Sequence, residues 1–266
     1  MNGQNLPGQP KSYKPIIVII VIILLVAFLV FIMRACLRSR LNSPTNGPDT
    51  TAGGTPPGTG GAFPELREKP KPSFRPYKGC PPEGDGGDRA LNMLKNRVDE
   101  GNYIPVPFEV VEKLPWPNTT ERKNRASWSS NDASTIKRYE GTPIVVEGYL
   151  ADAREEGPET PNCHGADHDF HDFHIWLTQS AGEDRTNSIV VEMTPPVRAN
   201  HPNWTTTALR QISRDQQRVR ISGWLMLDPE HPDQVGKTRG TIWEIHPVMR
   251  VEVQQQGRWI PLDKIS

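Results

Sequence analysis

Only three cysteines occur among the 266 residues, at positions 36, 80 and 163, and no two of them form a CxxC pair. That spacing excludes a thiolate metal clip. The HExxH signature of helix-borne zinc sites is missing as well. Hydrophobic side chains are scarce, at 35% of the chain. Part of that share is spent on a single N-terminal run, so the remainder supports one modest core. There is no excess of positive charge either. Residues 1–40 hold five of the 31 Lys and Arg and none of the 31 Asp and Glu, leaving 26 basic against 31 acidic residues, a net of −5. Non-specific nucleic-acid binding draws its affinity from neutralised phosphates, so a mildly acidic domain is unsuited to it.

What the chain has in abundance is proline, 27 residues, and glycine, 22. They crowd residues 34–88, which lack apolar periodicity and are therefore expected to be a disordered linker. Ahead of it, after a short tail at 1–14, lie 19 residues, Pro15–Met33, with no charged or polar side chain. As a helix this run would span about 28 Å, close to the hydrocarbon thickness of a bilayer. A core helix would show a polar face, and a cleaved signal peptide would be shorter and followed by a small-residue cleavage site. We therefore expect a single-pass signal anchor at 15–33. Lys11 and Lys14 on one side, with Arg34, Arg38 and Arg40 on the other, leave its orientation open.

Cys80 and Cys163 lie beyond that run. They read either as two buried thiols of a cytosolic domain or as a disulfide formed in an oxidising compartment. We expect the disulfide, and with it an extracytoplasmic location for the C-terminal domain.

Residues 89–141 contain two short helical patterns. "DRALNMLKNRVDEG" has Leu91, Leu94 and Val98 on one face, Asp88 as a cap and Gly101 as the stop. "NDASTIKRYEG" has Asn131 or Asp132 as a cap and Gly141 as the stop. This region is expected to be a helical extension packed on the domain formed by 142–266. There the period changes to two. "PIVVEGYLA", "DFHIWLT", "SIVVEMT", "QRVRISGWLMLD" and "GTIWEIHPVMRVEV" alternate apolar and polar positions, and the helical "NWTTTALRQI" falls between the third and fourth. Pro247 inside the fifth run predicts a bulge or bend, Trp243 is expected in the core, and "RWIPL" is a further edge strand.

Three strands, a helix and two strands from about Thr142 to Val253 resemble the oligonucleotide/oligosaccharide-binding (OB) superfold. The fold class expected is therefore mainly β: a five-stranded Greek-key barrel with short helices. Staphylococcal-type thermonucleases also carry the helix between strands three and four. Their Asp-Gly-Asp-Thr run is absent from these strands, so none of their catalytic residues transfers. The pairing of "LNMLKNR" with "WEIHP" resembles an uncharacterised bacterial membrane-anchored family, which implies no activity.

"NCHGADHDFHDFHIWL" gathers His164, His168, His171 and His174. Strand alternation sends His171 and His174 to opposite sides, so the four are not expected to form one metal site. OB barrels bind across strands two and three, clasped by the loops joining strands one to two and four to five. On those non-core positions lie His174, Trp176 and Glu192, with Tyr149 on the neighbouring strand; the second loop brings Asp228, His231 and Arg239. Glu244 and His246 share a face of strand five. We expect His174, Glu192, His231, Arg239 and His246 to converge on an exposed barrel face. Tyr149, Trp176 and Asp228 complete the expected ligand contacts, and Trp224 is a candidate for stacking or for packing under the helices.

Two functions follow. One is a membrane-tethered extracytoplasmic module binding a polar or anionic ligand or a protein partner. The other is a hydrolase, with or without a metal, that takes its catalytic groups from His174, Glu192, His231, Arg239, Glu244 and His246. The sequence leaves a cofactor undetermined.

Overall fold

The computed structural model describes residues 62–117 and 124–265. The expected tail, anchor and first part of the linker lie outside the described residues. Among the described residues no helix is long and apolar enough to cross a membrane. The elements are α1 (Arg89–Lys95), β1 (Ile104–Pro105), α2 (Phe108–Glu112), α3 (Ser130–Tyr139), β2 (Pro143–Glu155), β3 (Phe173–Thr178), β4 (Ile189–Met193), α4 (Pro195–Arg198), α5 (Thr206–Arg214), β5 (Arg218–Leu227), β6 (Trp243–Gln255) and β7 (Arg258–Pro261).

Five of the strands close on themselves. β2 pairs with β3, β3 with β4, β4 with β6, β6 with β5, and β5 returns to β2. Every pair is antiparallel except β4–β6. The result is a closed five-stranded barrel, compatible with an OB-type fold. Alternation builds its interior: Ile144, Val146, Phe173, Ile175, Ile189, Val191, Ile221 and Leu225 are all buried in one cluster. Trp243 joins them and is fully buried. α5 is capped by Thr205, whose hydroxyl accepts from Ala208 N, and buries Leu209 and Ile212.

The register confirms the irregularity expected at Pro247. Gly223 pairs with Val248, yet Leu225 pairs with Ile245, so β6 carries one extra residue around His246 and Pro247. Gly223 is needed opposite it: a Cβ there would stand 2.3 Å from Pro247 O. β7 forms the expected edge against the end of β6.

Three expectations change in detail. The folded domain begins well inside the segment read as a linker. Phe63 packs edge-on against Tyr139, with ring centroids 5.3 Å apart, and Phe74 bridges to Arg97. The second helix starts earlier than expected, capped by Ser129, which accepts from Asp132 N. α1 keeps its Asp88 cap but ends at Asn96, and it buries Leu91 as expected together with an unexpected polar side. Leu94 and Val98 are half-buried, whereas Asn92, Lys95, Asn96 and Arg97 are buried. The reason is what α1 packs on, which is loop backbone. Asn92 Nδ2 donates to the Glu83 and Gly86 carbonyls, and Asn96 Nδ2 to those of Pro82 and Pro161. Arg97 lies 3.3 Å over the Trp224 ring, and Trp224 Nε1 donates to Asp99 O. Trp224 is thus packed under the N-terminal segment.

Cys80 and Cys163 are joined by a disulfide, with Cα atoms 5.8 Å apart. It ties the segment leading into α1 to the loop between β2 and β3.

Candidate functional site

The sheet places two imidazoles around one carboxylate. Antiparallel pairing sets His174 opposite Glu192. Parallel pairing of Val190 with Glu244 carries His246 to the other side of Glu192. His174 Nδ1 is 3.3 Å from Glu192 Oε1, and His246 Nδ1 is 3.3 Å from Glu192 Oε2. Glu244 Oε2 stands 3.5 Å from the same His246 nitrogen, and Glu244 Oε1 accepts from Arg239 Nη1 at 2.6 Å. That Arg239 nitrogen also donates to Asp228 Oδ2 at 2.9 Å, and His231 Nδ1 meets the same oxygen at 2.7 Å. His174, Glu192, His246, Glu244, Arg239, Asp228 and His231 therefore form one continuous chain of polar contacts.

That chain is not on an exposed face, which corrects the expectation for His174. Its residue exposure is 7%, against 1% for His246 and Arg239 and 2% for Glu244 and Asp228. The cover is the chain's own N-terminal segment and the β2–β3 loop. Lys95 from α1 reaches Glu230 at 3.0 Å, while Asn96 and Cys80 hold the loop at Pro161 and Cys163. Trp176 is closed over too: it is 2% exposed, its ring tilted against that of His174 with centroids 4.5 Å apart, and Arg154 and Arg185 lie 5.2 and 4.6 Å over it. It cannot serve as an open stacking platform.

The remaining histidines of the opening loop go elsewhere. His164 meets Asp85 at 3.0 Å, and His168 and His171 share the two oxygens of Glu155. Tyr149 stands apart as well. It lines a groove of about 430 Å³ with Phe108, Val145 and Arg218.

Two residues escaped the sequence reading. Asp172 has the same strand parity as His174, one step before the strand, and that parity was the available signal. It is 1% exposed, and Asn162 Nδ2 donates to its Oδ1 at 3.1 Å. Glu156 lies 3.1 Å from His174 Nδ1 and gave no signal, since it sits at the irregular end of β2.

Burial governs the protonation of this cluster. It pushes Asp172 up to about 7, with Glu159 nearby adding to the effect. Glu244 is likewise pushed up to about 7 by burial and by Asp228, and Glu192 rises well above the carboxylate range through burial and Glu244. Burial drives both His174 and His246 down, His246 strongly and with Lys95 assisting. Asp228 goes the other way: against burial, the His231 hydrogen bond and Arg239 hold it far below the usual range. Lys95 stays firmly protonated against burial because Glu230 and Asp228 surround it.

One donor atom from each of Asp172, Glu192 and His246 lies within 4.8 Å of the others, a spacing a metal ion can use. No protein-family model matches the chain, and no curated protein matches it either.

Proposed function

We propose that the protein is a membrane-tethered, extracytoplasmic OB-type binding module for an anionic oligosaccharide segment. One observation carries the reading: a depression of about 290 Å³ lined by Arg154, Trp176, Arg185, Asp233 and Lys237. It lies on the outer face of β3 beside the β5–β6 loop, one of the two loops that clasp ligands in OB barrels, with Arg154 of β2 and Arg185 of the β3–β4 loop completing its wall. Three cations face one carboxylate there. Arg154 is bonded to Glu156 at 2.6 Å, while the Arg154 and Arg185 guanidinium groups rest on the Trp176 ring. Layered in this way they are held in place for forked hydrogen bonds to an anion. The larger groove at Tyr149 is less suited to an anion, because Glu109 and Glu147 line it beside its two arginines, Arg218 and Arg220.

Lys95 of "LNMLKNR" is close enough to Glu244 and His246 of "WEIHP" for its charge to be felt at both. The two motifs thus act on one buried cluster beneath the binding face.

Titration with a uronic-acid hexasaccharide tests the proposal, with a neutral chitin hexamer and a single-stranded hexanucleotide as competitors. The acidic sugar should bind, and Arg185→Glu and Lys237→Glu should each weaken it at least tenfold. Equal binding of the neutral sugar, tighter binding of the nucleotide, or insensitivity to both substitutions would sink the idea. A hydrolase reading rests on the carboxylate–imidazole set alone. It is the weaker one, since a substrate would have to displace Lys95 and a loop pinned by a disulfide.

A further inference from the structure

The buried cluster beneath the binding face has an unresolved charge problem. Four of its carboxylates, on Asp172, Glu192, Asp228 and Glu244, are at most 8% exposed, and the buried cations that meet them are Lys95 and Arg239. Arg239 is used up by Asp228 and Glu244, and the Lys95 ammonium is bonded to Glu230. Arg198 is also buried near Asp172, but it gives its Nη2 to the His168 and His171 carbonyls. Among the described residues no Lys or Arg is in contact with Asp172 or Glu192. Buried carboxyls in that condition take up a proton unless they are paired or coordinate a metal.

The hydrogen-bond inventory points to the same spot. Among the described residues Asp172 Oδ2, His174 Nε2 and both ring nitrogens of His246 are buried and have no hydrogen-bond partner; single groups such as Arg125 Nε and Trp204 Nε1 share that condition elsewhere, but here four such atoms meet. His246 Nδ1 is close to Glu192 and Glu244, at 3.3 and 3.5 Å, but makes a hydrogen bond to neither. Nearly all buried polar atoms in folded proteins are satisfied, so orphans concentrated in one cluster call for a missing partner. In the neutral His246 ring one nitrogen is an N–H donor and the other an acceptor, and an ion that takes the acceptor nitrogen together with an oxygen of Asp172 satisfies both at once.

We propose that Asp172, Glu192 and His246 hold a divalent first-row metal ion in the closed space under α1 and the β2–β3 loop. The donor set is two carboxylates and one imidazole. Calcium and magnesium prefer six or more oxygens, whereas this mixed set is typical of zinc and its first-row neighbours. Donors about 2.1 Å from a tetrahedral ion stand about 3.4 Å apart, so the observed spacing within 4.8 Å needs only a small contraction. His174 contributes from behind. Its Nδ1, 3.3 Å from Glu192 and 3.1 Å from Glu156, holds the Glu192 carboxylate in its orientation. The ion supplies the positive charge that Asp172 and Glu192 lack and locks β3, β4, β6 and the covering loop together. The site is separate from the cation-rimmed depression above it, so either proposal can fail without the other.

The full chain, expressed in zinc-supplemented medium and purified without chelators, should carry about one equivalent of metal by elemental analysis. Asp172→Asn and Glu192→Gln keep the side-chain shapes. Each should lower zinc affinity at least tenfold while the circular dichroism spectrum and the disulfide persist. His201→Ala, whose ring sits instead on Asp263, should retain the metal. X-ray absorption of the zinc-loaded protein should show nitrogen and oxygen donors and no sulfur. Metal below a tenth of an equivalent, both as purified and after incubation with zinc, manganese or iron(II), would overturn the proposal. So would a full equivalent retained by both the Asp172 and the Glu192 variants, since the ion would then be held elsewhere.

Discussion

Glu192 lies between two imidazoles, His174 on one side and His246 on the other, each 3.3 Å from one of its carboxylate oxygens. The arrangement follows from the one parallel pairing in the barrel. β4 runs antiparallel to β3 and parallel to β6, so the outward residue near its end acquires a lateral neighbour from each strand. A carboxylate so placed links elements distant in sequence, and its partners become structural whatever else they do.

His174→Ala should therefore be destabilising, by roughly 2–4 kcal/mol, because it leaves the buried Glu192 and the half-buried Glu156 without that imidazole. Urea denaturation of the wild type and the variant measures this. A cost below about 0.5 kcal/mol would assign His174 to the surface class instead.

The disulfide predicts a thiol count. Of three cysteines two are bonded, so denatured, unreduced protein should titrate with one free thiol, that of Cys36. Replacing Cys80 and Cys163 together by serine should cost roughly 2–4 kcal/mol. Three titrating thiols would refute the bond.

Gly223→Ala should disrupt the bulge. Its Cβ would meet Pro247 O at 2.3 Å and Ile245 Cγ2 at 2.6 Å, inside a packed wall. Overpacking of this kind costs about 1–3 kcal/mol or more. Gly157→Ala, with nothing within 4 Å of its Cβ, is the matched control and should be nearly neutral. Equal melting temperatures for the two variants would contradict the register described.

His231 sets a pH dependence. Its hydrogen bond to Asp228 raises the imidazole above its ordinary value, against burial, with Arg239 and Glu244 also facing it. The folded state thus favours the charged ring. That stabilisation is complete below about pH 6.5, the unfolded value, and is lost as pH rises through the higher folded one. Comparing urea midpoints at pH 6 and pH 8.5, His231→Gln should show a smaller decline than the wild type. Parallel profiles would mean that the contact carries no linkage.

The barrel was legible because alternation of Ile144, Val146, Ile175, Val191 and Ile221 writes the inner face directly into the sequence. The convergence of His174, Glu192, Arg239 and His246 was legible for the same reason, since strand parity and loop order place them. Their burial was not. It depends on α1 presenting Asn92, Lys95, Asn96 and Arg97 inward, and polar residues on a short helix read as solvated until the backbone carbonyls they satisfy are known. Asp172 shares the parity of His174 but lies one step before β3, where it reads as a loop residue, and Glu156 lies past the irregular end of β2, where periodicity stops carrying information.

The Cys80–Cys163 bond also has a mechanical meaning. A pull applied to the chain from its N-terminal side reaches Cys80 and passes at once to Cys163, 83 residues further on. The covalent load path thereby skips α1, α3 and β2 and enters the barrel at the loop before β3. Tension along the chain cannot peel α1 from its seat over Glu230 and Pro161 without first breaking a covalent bond, so the cover over the carboxylates stays closed under strain.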